Sequence, residues 1–165
     1  MEEKLLDSYA ELIVKVGANV QKGQYVVIRT NPCVEEFASL VAKKCYKAGA
    51  KRVFVHWMIS KLDRVDYQNA TLEELSSVPT FEEAAHKFMV DQLPVLIWLD
   101  ADNPDGLKGV DAKKTAAIRS AKYKVLGKYR EARDNKFQWT IAGVPSLEWA
   151  KKVFPGEPED QAVKK

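Results

Sequence analysis

Two histidines, a cluster of aspartates and one loop cysteine carry the side chains of this sequence that could hold an ion or move a proton. His56 precedes Trp57 at what reads as a strand end, where open parallel sheets bind ligands, although burial there would give the same pattern. Asp100, Asp102 and Asp105 follow another strand, and hard cations need such oxygens gathered together. Their spacing matches no EF-hand, Pro104 and Gly106 interrupt them, and aspartate and asparagine are ordinary turn residues, so turn chemistry is the simpler account. Cys33 stands where a helix dipole could lower its thiol pKa, but no histidine adjoins it and it reads as a packing residue. His86 follows Glu82 by four residues, which suits one edge of a metal site or, more simply, a surface pair worth ~0.3 kcal/mol.

Complete catalytic motifs are missing. No G-x-G-x-x-G follows the first strand, where Thr30-Asn31-Pro32-Cys33 stands instead, so a dinucleotide pyrophosphate would lack its close-approach glycines. Neither G-x-x-x-x-G-K-[ST] nor G-x-S-x-G occurs, which removes the usual routes to nucleotide hydrolysis and serine hydrolysis. Cys33 and Cys45 form no C-x-x-C, so neither a disulfide framework nor a zinc knuckle is expected. Basic and acidic side chains number 26 and 23, and a net charge of +3 implies neither nucleic acid nor acidic lipid as a partner. The basic run Lys113, Lys114, Arg119, Lys122, Lys124, Lys128, Arg130 and Arg133 reads as a solvated helix face. With a charged start and no apolar run near the ~18 residues needed to cross a membrane, no membrane partner is expected and the setting reads as cytoplasmic.

The elements that must position these residues follow from the hydrophobic pattern. Leu5, Leu6, Tyr9, Leu12, Ile13 and Val16 share one helical face that Gly17 ends. Buried strands are predicted at residues 26–28, 52–57, 95–99 and 137–141. Helices are predicted over 34–48, within 72–89 with a second start at Pro79 and Thr80, over 111–134, and from Pro145 or Ser146 through Val153. The four tryptophans, three of them in strands, read as core. Uniformly apolar strands alternating with long helices predict an α/β fold: a three-layer sandwich around a mainly parallel, Rossmann-like sheet of about four or more strands. The 165 residues, 46% hydrophobic, suffice for one such domain over residues 1–154. Residues 155–165 read as a break followed by the start of a helix leading toward a further part of the protein.

Three stretches carry a family resemblance. They are Leu6-x-x-Tyr9-Ala10-x-Leu12-x-Val14-x-Val16-Gly17-x-Asn19-Val20-Gln21-x-Gly23-Gln24, the strand pair Val26-Val27-Ile28-Arg29 and Val53-Phe54-Val55, and Pro145-Ser146-x-Glu148-Trp149-Ala150-x-x-Val153-Phe154-Pro155. In this order they resemble the amino-terminal domain of the thermophilic-type metalloaminopeptidases, the family of aminopeptidase T, AmpS and PepS. The resemblance implies a hydrolase that removes amino-terminal residues from peptides. It also implies a carboxy-terminal catalytic domain of the same protein, holding two divalent metals, zinc, cobalt or magnesium, and a homodimer at full length. No catalytic or metal-binding position carries over onto these residues, and no cofactor is expected within them. This domain would be a lid and scaffold, inactive alone, with Asn31, His56, Trp57, Asp100 and Asp102 lining a shared cleft. Two other readings stay open: a free-standing anion or nucleotide module, and an interaction or dimerisation domain suggested by Trp149, Val153 and Phe154.

Overall fold

A computed structural model of the chain describes residues 3–158 and 161. In order, the elements are α1 (Glu3–Leu12), β1 (Tyr25–Thr30), α2 (Glu35–Lys47), β2 (Arg52–Trp57), α3 (Ser60–Asn69), α4 (Leu72–Ser76) and α5 (Thr80–Gln92). There follow β3 (Val95–Asp100), α6 (Ala112–Arg133), β4 (Trp139–Gly143) and α7 (Leu147–Val153). The strands form one wholly parallel sheet in the order β2-β1-β3-β4, and helices flank it, so the α/β expectation holds. Chain contacts divide the molecule into two units.

The first unit, Met1–Ile59, Pro94–Pro104 and Gln138–Lys165, contains the sheet. Alternation along the strands sends Val26 and Ile28 of β1, Val95, Ile97 and Leu99 of β3 and Ala142 of β4 to one face. There they pack with Ala10, Ile13 and Val14 and with Phe37, Val41 and Cys45 of α2. Complete burial of each aliphatic side chain contributes about 1.5–3 kcal/mol, which makes this face the main stabilising contact of the unit. Thr30 is the polar member of that face, and its hydroxyl donates to the Leu99 carbonyl at 3.0 Å. Tyr9 stacks on Phe37 at 5.6 Å between ring centroids and donates its hydroxyl to the Gly143 carbonyl at 2.9 Å, which pins α1 against the end of β4.

The first helix ends at Gly17, where its apolar face also ends. Its last turn, Ile13–Gly17, is π-helical. The chain then comes so close to β4 that a Cβ on Gly17 would lie 2.8 Å from the Thr140 hydroxyl oxygen. Gly17 is therefore required by packing as well as by helix ending.

The second unit, Ser60–Leu93 with Asp105–Phe137, is helical. Lys122 pairs with Glu82 at 2.8 Å, and Tyr129 and Lys128 both reach Glu83, joining α6 to α5. The Tyr129 hydroxyl, with the Lys128 ammonium, holds the Glu83 carboxyl below its ordinary pKa. Helix α3 was not expected from the sequence, because it buries no side chain and so shows no apolar stripe. Polar bonds to carbonyls anchor it: Arg64 donates to Asp105 and Gly106, and Lys114 donates to Tyr67 and Ala70.

Three other expectations change. The fourth strand lies two residues later than predicted, because pairing with β3 begins at Leu96 and Trp139, while Phe137 instead faces the Arg133 guanidinium. The tryptophans are not all core. Trp57 and Trp139 are 41% and 61% exposed, since β2 and β4 are edge strands with a neighbour on one side only, and Trp149 on α7 is 41% exposed. Beyond Pro155, the expected helix start at Glu159, Asp160, Ala162 and Val163 lies outside the described residues.

Gly17→Ala is expected to lower stability by about 1–3 kcal/mol through overpacking. Thr140→Ala in the same chain should recover part of that loss, read as the urea midpoint of the single and double variants.

Candidate functional site

Strand order decides where a ligand could lie. The chain steps from β1 to β2 on one side and places β3 on the other, so the carboxyl ends of β1 and β3 part at a switch point of the kind where open α/β sheets bind ligands. The loops after β1, β3 and β4 meet there. Val144 donates its N–H to the Asp100 carbonyl at 2.8 Å, extending the β4 contact one residue past the strand. The Cys33 thiol lies 3.7 Å from the Ala101 carbonyl. Beside these loops an open groove of about 390 Å³ is lined by residues that include Leu6, Cys33, Glu35, Phe37, Val144 and Pro145.

Asn31 is already engaged. Its side-chain oxygen accepts from the Cys33 N–H at 3.0 Å and caps the 3-10 turn Pro32–Val34, while its amide nitrogen donates to the Met58 carbonyl at 3.2 Å. Met58 returns a backbone bond to the Thr30 carbonyl at 2.7 Å. The asparagine thus ties the loop after β1 to the loop after β2 and leaves little of its amide for a ligand.

The five residues singled out in the sequence divide between the sheet's surfaces. Register places His56 beside Arg29, Arg29 beside Trp98, and Trp98 beside Ile141, all on the face opposite the core. Asp100 follows on that face two residues after Trp98, and its carboxylate accepts from the Asp102 N–H at 3.5 Å. Trp57, in register with the buried Thr30, points to the other face. His56, Asp100 and the engaged Asn31 therefore share one side of the sheet end, Trp57 does not, and Asp102 belongs to the loop.

Sequence reasoning passed over Arg29. The Arg29 Nε is buried without a hydrogen-bond partner, and burial lowers the pKa of the guanidinium. A signal for it existed: a charged residue within Val26-Val27-Ile28-Arg29, a strand with a neighbour on both sides.

Neither thiol is primed as a nucleophile. Burial, helped by the Asp102 charge, raises the Cys33 pKa, and burial pushes Cys45 up to about 12. Among the described residues no group of three or more histidine, cysteine, aspartate or glutamate side chains could hold a metal ion. The donors among the described residues thus do not gather into a dinuclear centre. Glu82 is occupied by Lys122, and the His86 ring lies 6.4 Å from that of Tyr129. No described helix is long and apolar enough to cross a membrane.

With this geometry in hand, the family profile described as thermophilic metalloprotease (M29) matches residues 2–165. The chain belongs to that family. Aminopeptidase AmpS of Bacillus subtilis (strain 168) is 39% identical over 159 residues, which is 96% of this chain and 39% of the relative. Aminopeptidase 2 of Geobacillus stearothermophilus is 34% identical over 164 residues, covering 99% of this chain and 40% of the relative. The structure of wild-type AmpT from Thermus thermophilus matches with a TM-score of 0.85 at 28% identity, over 98% of this chain and 41% of that one. The chain therefore spans about two fifths of the length of these M29 relatives. The resemblance carried by Leu6 to Gln24, the two strands and Pro145 to Pro155 is borne out.

In a thiol titration at pH 8, Cys33 is expected to react more slowly than a free cysteine and Cys45 only on unfolding. Asp102→Asn should accelerate the first reaction, because removing the negative charge lowers the Cys33 pKa and raises its thiolate fraction.

Proposed function

We propose that these residues form the amino-terminal lid and scaffold of a metal-dependent aminopeptidase that removes amino-terminal residues from peptides. The observation that carries the reading is the 39% identity to aminopeptidase AmpS along 96% of the chain, joined to the fold of AmpT. The M29 description makes it a metalloprotease family, and the donor set among the described residues holds no centre. The metals, in this proposal two divalent ions of zinc, cobalt or magnesium, belong to a carboxy-terminal catalytic part of the protein. A bound metal would supply Lewis-acid and water-activating chemistry to that part.

What these residues contribute is placement. The sheet edge is held by backbone bonds between its loops, Met58 to Thr30 and Val144 to Asp100, and by the Asn31 bridge. Rigid elements of this kind fix a cleft wall more tightly than free loops would. His56, Asp100 and Asp102 are its candidate polar contributors, and Trp57 and Asn31 support it from the neighbouring loops.

An amino-acid nitroanilide panel with added zinc, cobalt or magnesium tests the proposal, comparing the 165-residue chain with one extended to the length of the relatives. The chain alone is expected to be inert and the extended protein active, with activity removed by chelation and restored by metal. Turnover by the 165 residues alone would overturn the division of labour, and an extended protein inert with every metal would overturn the aminopeptidase reading.

A further inference from the structure

We propose that Arg29 is the anchor of a carboxylate-binding site on the face of the sheet opposite the core, flanked by His56 and Trp98. Arg29 lies on β1, next to the switch point, with His56 of β2 on one side and Trp98 of β3 on the other. Neighbouring strands stand about 4.8 Å apart, so these three side chains form a continuous row across the sheet.

The arginine is out of electrostatic balance. Its Nε is buried and has no hydrogen-bond acceptor, and among the described residues it joins no ion pair. Charged groups that leave water normally find a partner of opposite sign, because the interior does not replace the lost hydration. By contrast, two cations of the second unit pair with acids, Lys122 with Glu82 and Lys128 with Glu83. Arg29 as a whole is only partly buried. A planar, singly charged acceptor matches that fork and can take two parallel N–H bonds.

Charge selects the ligand class. Asp100 lies on the same face two residues beyond Trp98. The guanidinium carries a single positive charge and so matches a monoanionic carboxylate better than a phosphate dianion, whose second charge would add to the repulsion from the Asp100 end of the same face. Trp98, partly buried beside Arg29, offers an apolar flank for the carbon attached to a carboxylate. The carboxylate could come from the terminus of a peptide or from an acidic side chain, and both present the same group to Arg29.

The test uses the 165-residue chain and nuclear magnetic resonance, and it is independent of the aminopeptidase reading because no turnover is measured. The Arg29 Nε–H and the Trp98 indole N–H are followed during titration with sodium acetate, against sodium chloride at matched ionic strength. A saturable shift of both signals with acetate and not with chloride is expected. Arg29→Gln should abolish the Trp98 response, and Arg29→Lys, which keeps the charge without the fork, should weaken it about tenfold. If Arg29→Gln does not give the dispersed spectrum of a folded sheet, Arg29→Lys carries the comparison. Acetyl-alanine and the amide of acetyl-aspartate then separate the sources, the tighter of the two showing whether a terminal or a side-chain carboxylate is preferred. Equal responses to acetate and chloride, or a Trp98 shift unchanged in the folded variants, would overturn the proposal.

Discussion

Parallel strands cannot be joined by a hairpin, so each step from one strand of this sheet to the next must return the chain to the opposite edge. That constraint accounts for α2 between β1 and β2, for α3 to α5 between β2 and β3, and for α6 between β3 and β4. It also sends all four strand ends to one edge. Asn31, Trp57, Asp100 and Gly143 come together there because their strands point the same way, although they are far apart in the chain.

The core face holds this arrangement in register. Val26, Ile28, Val95, Ile97 and Leu99 are fully buried, and a slip by one residue would turn every one of them away from α1 and α2. The same slip would bring Arg29 to the core. Register thus fixes the apolar face and the charged row of the other face in one step. The polar groups at the sheet edge refine the arrangement: Thr30 satisfies its buried hydroxyl on Leu99, and Asn31 joins two loops with its two amide atoms.

Membership in the M29 family is compatible with the lack of a fitting donor set among the described residues, since the chain spans about two fifths of its relatives. A domain can share a family's fold while contributing geometry in place of ligands, and the chemistry of a site is argued from the groups that meet there. What meets here is a rigid edge, the Cys33 thiol with a raised pKa and an arginine that joins no ion pair among the described residues.

Periodicity alone determined the type of nearly every element. Apolar runs such as Val95 to Leu99 and three-and-four spacing such as Phe37, Leu40 and Val41 are direct records of burial, which is a local consequence of each element's geometry. The start of the last helix was narrowed to Pro145 or Ser146, and Ser146 is the cap, accepting from the Trp149 N–H three residues on. Helix α3 was not readable, since bonds from Arg64 and Lys114 to distant carbonyls leave no periodic trace. Strand order, the edge exposure of Trp139 and the row His56, Arg29 and Trp98 belong to the tertiary structure alone. They depend on which strands become neighbours, and residues 27 and 69 positions apart acquire a common environment only when the sheet closes its register.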